Sequence, residues 1–312
     1  MSPKITVITP TRNRANTIHR VFESLNKQTF LNFEWLVCDD ASNDNTINKL
    51  KKFKKKSKFD IRIFKYKKRA GKPKIDNFCV KKAKGEFVIF ADSDDAFKKK
   101  SFSDFLKEWK IIPKNKKKKI FAIISRITLA NGKSLEPKLN FKDKSISLIN
   151  LWHNHKKKGE KWLFIKKKIL LKYKFPEIDF YVPEGITWEK ISLKYNVWIL
   201  DKCYRIFYSD TQNSVTHSKK INYPIGQLKS LELNIKMQKK NNVNNFRCIV
   251  NYYRFRFINN YYFNYNILDK FTSNKWFFFK ILGFLLFLKD IIFLNLNSEK
   301  YEKNNSKPIE IN

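Results

Sequence analysis

Short apolar runs alternate with one-sided helical stretches over the first hundred residues of the chain. Ile5–Thr9 (ITVIT) is β-branched and reads as a strand ended by Pro10. Asn16 or Thr17 offers an N-cap for a helix over Ile18–Gln28, where Ile18, Val21, Phe22 and Leu25 share one face. Glu34–Cys38 predicts a second strand running into Asp39 and Asp40, Thr46–Lys56 a second helix, and Asp60–Tyr66 a third strand. Lys74–Lys84 predicts a third helix, with Phe78 and Val80 inward. The run FVIFADSDD, from Phe87, is then a buried strand that stops on Asp92, Asp94 and Asp95. Strands alternating with helices predict a mainly parallel α/β sheet with helices on both faces. Ligands of such sheets bind beyond the carboxyl ends of the strands. Thr9, Asp39, Asp40 and Asp92 all fall at such ends.

The pattern loosens beyond Phe102. Lys114–Lys119 is a charged loop, Ile120–Thr128 a strand, Thr187–Tyr195 a helix, and Val197–Leu200 and Tyr204–Tyr208 two further strands. From Ile221 the chain turns to long aromatic helical stretches. Trp276–Leu296 (WFFFKILGFLLFLKDIIFLNL) approaches the length of a membrane span, but Lys280, Lys289 and Asp290 interrupt it. Phe246–Ile267 mixes arginines with tyrosines and phenylalanines, as interfacial helices do. The expectation is a monotopic anchor on an anionic cytoplasmic leaflet. A packed helical cap or a subunit interface is the alternative, which leaves a homodimer open. The expected organisation is a catalytic domain over 1–220, a helical membrane-associating region over 221–298 and a disordered tail over 299–312. That first domain divides into two halves, 1–105 and 106–220.

Composition adds charge. The chain has 66 Lys and Arg against 28 Asp and Glu, a formal net charge of +38. That balance favours an anionic partner. The dominance of lysine and asparagine fits the coding bias of an AT-rich genome, so nucleic acid is not the expected partner. The four cysteines, Cys38, Cys79, Cys203 and Cys248, lack metal-ligand spacing and read as reduced thiols of a cytosolic protein. The amino terminus runs straight into a strand, with no signal-peptide architecture.

Three carboxylates within one short turn repel one another unless a cation lies among them. A hard divalent ion with phosphate on its far side answers that need. In chain order, VITPTRNRANTI, FEWLVCDDASNDNT, GKPKIDNFCVKKAKGEFVIFADSDD, GEKWLFIKKKILLKYKFPE and YVPEGITWEKISLKY followed by YRIFYSDTQNSVT resemble the family 2 glycosyltransferases. These are inverting enzymes of the GT-A fold, and the resemblance covers roughly residues 4–217. It implies a nucleotide-diphosphate-sugar donor (a UDP-sugar first), a glycan or lipid-linked acceptor, and a role in surface-polysaccharide synthesis. It also implies a Mn2+ or Mg2+ cofactor and a peripheral place at the inner face of the plasma membrane. On this resemblance Thr9, Pro10 and Arg12 line the nucleotide pocket, together with Lys72, Asp92 and Ser93. Asp40, with Asp39 behind it, accepts a hydrogen bond from the base. Asp94 is the metal ligand, with Asp92 on the ribose or on the metal through water, Asp95 a supporting or turn residue, and His217 a further ligand. Ala41 stands where the family commonly has glycine, so a shifted turn is expected there. A carboxylate must take the acceptor proton. Glu184, in Pro183-Glu184-Gly185, is preferred to Glu189, with Asp179 third. Trp162 and Trp188 stack on sugar or fill the core. A nucleotidyltransferase and a non-catalytic basic lipid- or nucleic-acid-binding protein are the competing readings.

Overall fold

The computed structural model describes residues 2–135, 137–139, 141–154, 161–210, 223–238, 246–263, 276–293 and 306–311. The strands are β1 (Ile5–Thr11), β2 (Phe33–Asp40), β3 (Asp60–Tyr66), β4 (Phe87–Phe90), β5 (Ala96–Phe97), β6 (Ile120–Leu129), β7 (Ser145–Ile146), β8 (Trp162–Lys166), β9 (Asn196–Phe207) and β10 (Ile309–Ile311). The helices are α1 (Ile18–Asn26), α2 (Thr46–Lys56), α3 (Lys72–Lys82), α4 (Ser101–Ile111), α5 (Lys114–Lys117), α6 (Lys167–Leu170), α7 (Gly185–Ser192), α8 (Pro224–Gln238), α9 (Phe246–Phe263) and α10 (Phe277–Phe293). They fall into two units. The first comprises Met1–Lys174, Thr187–Thr211 and Asn304–Asn312, and the second Phe175–Ile186 and Gln212–Lys303.

In the first unit the strand order is β10-β3-β2-β1-β4-β8-β6-β9-β5, with β7 on β9. β3, β2, β1 and β4 are parallel, as the alternation of the first hundred residues predicts. The remainder is mixed: β8 runs antiparallel to both β4 and β6, and β6 is parallel to β9. The expectation of a mainly parallel sheet therefore holds for β3-β2-β1-β4 and for the β6–β9 pair, within a sheet that is mixed as a whole. The mixture arises because β8 enters between β4 and β6 and runs antiparallel to both. β2 is buried along its whole length, as a parallel strand covered on both faces should be. α1 buries Ile18, Val21, Phe22 and Leu25, the face read from the sequence. Phe87 stacks on Phe164 with ring centroids 4.3 Å apart, and Trp162 stacks on Phe97 at 4.5 Å. Each such ring contributes about 1.5–3 kcal/mol through burial alone. Trp162 is thus a core residue, and its indole N–H donates to the carbonyl of Phe90 at 2.8 Å, fixing the end of β4.

β10 pairs antiparallel with the outer edge of β3, Ile309 opposite Lys65 and Ile311 opposite Ile63. The sequence predicts disorder over 299–312. Residues 306–311 instead cover an edge strand whose backbone groups would otherwise lie open.

The second unit is helical. Its core joins Leu228, Ile235, Ile249, Tyr252, Tyr253, Phe255, Ile258 and Phe287. α10 meets α9 at Gly283, where a Cβ would stand 2.6 Å from that of Tyr253. Beside it Arg254 grips Asp290 with two bonds of 2.6 Å. Phe175–Ile186 joins this unit because Asp179 accepts the backbone N–H of Gly226 at 3.1 Å and Tyr181 packs on Tyr223. A boundary at residue 220 does not anticipate that excursion.

Candidate active site

The acidic turn lies where β4 ends. Asp95 N–H donates to the Asp92 carbonyl at 3.3 Å and closes it. β5, the two residues that follow, pairs with β9 so that Phe97 sits opposite Arg205. That pairing delivers a guanidinium from 110 residues away in the chain. Arg205 donates through Nε to the Asp95 carboxylate and through Nη2 to Asp92 Oδ2 at 2.6 Å. Burial pushes the Asp95 carboxyl up to about 7, with repulsion from Asp92 and Asp94 adding to it against the pull of Arg205. Burial acts the same way on Asp92, but the charges of Arg205, Lys72 and Arg14 outweigh it and hold that carboxyl below its ordinary range.

Helix α1 fixes the middle of the turn. Thr17 Oγ1 donates to the Ser93 carbonyl at 3.2 Å, and Arg20 Nη1 reaches the Asp94 carbonyl at 3.4 Å. Arg20 also holds Asp210 with a fork of 2.8 and 2.7 Å and stacks on Tyr208, its charge centre 4.2 Å from the ring centroid. Ser93 is buried, and Asp92 and Asp94 are partly exposed.

The ends of β1 and β2 are laced together. Asn13 N–H donates to Ser42 Oγ at 2.8 Å, Arg14 N–H to Thr46 Oγ1 at 2.9 Å, and Ala15 N–H to Asp44 Oδ2 at 3.0 Å. Asp39 is fully buried and accepts both the backbone N–H and the hydroxyl of Ser42, so it holds its own turn. Asp40 accepts the backbone N–H groups of Ala70, at 2.5 Å, and Gly71, at 3.2 Å. Burial raises the Asp40 carboxyl; those two N–H groups and the charges of Arg69 and Arg12 oppose it. Gly71 takes φ +86°, a conformation open chiefly to glycine, and it carries the chain into α3. Lys72, first in that helix, bonds Asp76 at 2.8 Å and lies 5.6 Å from the centroid of the Phe90 ring. Ala41 adopts φ +58°. Alanine takes the left-handed conformation there at a cost of about 1 kcal/mol.

Thr9 does not line open space. It is fully buried, and its hydroxyl accepts the indole N–H of Trp35 at 2.9 Å, locking β1 to β2. Pro10 lies within β1, opposite Cys38, and Arg12 follows just past the strand end. All four cysteines are free thiols.

The three candidate bases separate. Asp179 is buried in the second unit, where both its oxygens accept backbone N–H groups, those of Phe180 and Gly226. Glu184 also belongs to the second unit and is partly exposed. Glu189 belongs to the first unit and is only 7% exposed, so it does not point to solvent as a surface helical residue would. Its Oε2 is buried without a hydrogen-bond partner, and burial pushes its carboxyl up to about 7. Its neighbour Trp188 packs near Phe90, two residues before Asp92, and near Phe121. His217 lies outside the described residues.

Among the described residues no group of three or more His, Cys, Asp or Glu side chains is arranged as a metal cage. Two carboxylates of the acidic turn are engaged by Arg205. The donor set therefore fits a hard cation that completes its shell with substrate phosphate and water.

Arg205 is the residue that the sequence does not reveal. It sits in the quoted run YRIFYSD, but only the β5–β9 pairing brings it to the turn.

A mixed sheet whose parallel strands β3, β2, β1 and β4 end beside this acidic turn defines the nucleotide-diphospho-sugar transferase class of α/β fold, GT-A. Residues 6–115 match the family model Glycosyl transferase family 2. Over 104 residues, 32% of this chain, it is 38% identical to poly(ribitol-phosphate) beta-N-acetylglucosaminyltransferase TarS of Staphylococcus aureus, a match spanning 18% of that protein. Over 91 residues it is 40% identical to UDP-Glc:alpha-D-GlcNAc-diphosphoundecaprenol beta-1,3-glucosyltransferase WfgD of Escherichia coli, covering 29% of this chain and 35% of that one. Both matches span well under two thirds of the relative's length. The solved structure of S. aureus TarS 1–349 in complex with UDP-GlcNAc superposes with a TM-score of 0.58 at 20% identity, over 92% of this chain and 81% of that one.

Proposed function

We propose that the chain transfers a sugar from a nucleoside diphosphate sugar, a UDP-sugar first, to a glycan or lipid-linked acceptor with inversion. The observation that carries this reading is the interleaving of charges at the strand ends. Arg12 and Arg69 act on Asp40, while Arg14, Lys72 and Arg205 act on Asp92. Cations drawn from the segment after β1, from the start of α3 and its preceding loop, and from β9 suit a diphosphate, and the carboxylates between them suit a base, a ribose and a divalent ion. Asp40 has acceptor capacity beyond its two backbone donors and would take the imide N–H of a pyrimidine. Asp92 would hold the ribose, with Ser93 buried behind it. Asp94 would hold the metal together with the diphosphate. Mn2+ or Mg2+, when bound there, supplies charge neutralisation for the departing nucleotide. The names of the relatives support UDP-GlcNAc or UDP-Glc as donor, and a polyol-phosphate or polyprenyl-diphosphate-linked glycan as acceptor.

We place the base at Glu189, not Glu184. A carboxyl raised to about 7 and lacking a partner for one oxygen is suited to take a proton near neutral pH. It removes the acceptor hydroxyl proton as the oxygen attacks the anomeric carbon, and the bond from that carbon to the diphosphate oxygen breaks. The nucleotidyltransferase reading falls away with the family match.

No helix among the described residues is long and apolar enough to cross a membrane. α10 suits the surface of one. Phe277, Ile281, Phe284, Leu285, Leu288 and Ile292 are exposed, whereas Gly283, Phe287 and Asp290 face α9. At about 100° per residue, Lys280 and Lys289 fall on the two borders of the apolar stripe. Lysines flanking such a stripe reach anionic headgroups while the apolar side chains enter the interface. On this reading the chain works peripherally at the inner face of the plasma membrane, where anionic lipid would meet those lysines.

The test is a thermal-shift panel of UDP, UDP-GlcNAc, UDP-Glc, ATP and CTP, each with and without Mn2+, followed by UDP release with acceptor present. A UDP species should stabilise the chain, and Asp94→Asn should remove the Mn2+-dependent part. Stabilisation by ATP or CTP alone would overturn the reading.

A further inference from the structure

Arg205 stands inside the acidic turn. It is 6% exposed, bonds Asp95 through Nε and Asp92 through Nη2, and remains charged at every working pH. Its planar fork meets two carboxylates at once, which the point charge of a lysine cannot do. Without it, three carboxylates within four residues would form an oxygen-rich site for a hard cation whether or not substrate was bound.

We propose that Arg205 is a positioning residue that makes divalent-cation binding conditional on a nucleoside diphosphate. By engaging Asp92 and Asp95, it stops the turn from capturing the ion unaided. Asp94 is then the ligand the turn contributes, and phosphate oxygens and water complete the shell. Thr17 and Arg20 hold the backbone at Ser93 and Asp94, so the turn cannot swing to recruit its other carboxylates. This inference rests on the reading of the turn as the donor diphosphate site.

Mn2+ binding to the full chain, followed by the electron paramagnetic resonance signal of the free ion, tests it. The native chain should bind Mn2+ weakly alone and at least about tenfold more tightly with UDP. Arg205→Met frees two carboxylates, so nucleotide-free affinity should rise by about tenfold or more. An unchanged nucleotide-free affinity in that variant overturns the proposal. Because Arg205→Met leaves Asp95 buried beside no cation, Arg205→Lys is a second, milder arm. A lysine keeps a charge beside Asp95 but cannot hold both carboxylates, so nucleotide-free Mn2+ affinity should rise by at least about threefold, whereas Asp94→Asn loses the UDP-dependent binding. An unchanged nucleotide-free affinity in both Arg205 variants means that Arg205 does not restrain the turn, and the proposal falls. Absence of Mn2+ binding to the native chain even with UDP would sink the donor-site reading itself, a distinct result.

Discussion

Glu189 and Ala41 show how a single residue's role depends on its surroundings. The folded-state pKa of Glu189, about 7, lies above the value of about 4.3 for an unfolded glutamate. Its proton therefore favours the folded state fully below the unfolded value, and that contribution is lost as pH rises through about 7. Asp95, also near 7, contributes in the same direction. Glu189→Gln should remove only its own share, so the variant's Tm should exceed that of the native chain above pH 7 and converge with it at low pH. The same substitution should lower kcat by about two to four orders of magnitude and leave donor affinity unchanged. The native kcat should rise with pH through about 7, since the base acts only when ionised. If Glu184→Gln is the inactive variant and Glu189→Gln turns over normally, the base is misassigned. Ala41 offers a milder test. Ala41→Gly relieves about 1 kcal/mol of left-handed strain but gives back part of it through unfolded-chain entropy. Chemical denaturation should find the variant equal to the native chain or more stable by less than about 1 kcal/mol; a clear loss would show that the φ of +58° carries no strain.

At the scale of elements, α10 and β10 behave differently although both lie late in the chain. α10 shows solvent an apolar stripe, and replacing Leu285 and Leu288 by Glu removes about 1.5–3 kcal/mol of burial for each side chain on a bilayer. Flotation with phosphatidylglycerol vesicles should then drop at least tenfold while UDP binding is retained. Lys280→Gln with Lys289→Gln should weaken flotation by about 1 kcal/mol per lysine and reduce its salt dependence. Equal flotation of all these variants would reject α10 as the docking face. Point substitutions are the right instrument, because deleting the end of the chain would also strip β10 from β3 and expose a sheet edge.

At the scale of the whole molecule, local pattern sufficed wherever the contacts are local. The parallel order β3-β2-β1-β4, the inward face of α1 and the acidic turn after β4 follow from apolar spacing and from the short connections of a βαβ chain. The sequence therefore determined where a ligand-binding crevice would open and which charges would rim it. It did not determine what those charges do. Asp39 and Asp40 are adjacent in sequence, yet one closes a turn on Ser42 and the other anchors the loop before α3. Thr9 reads as a pocket residue and lies sealed under Trp35. Glu189 ranks behind Glu184 by sequence and is the buried one of the two, while Arg205 carried no local signal and became the partner of the acidic turn. Each of these depends on strands or helices that meet only after long stretches of chain have folded back. Burial and the approach of a distant opposite charge set a carboxylate's state far more than its neighbours in sequence do, and only the tertiary structure supplies them.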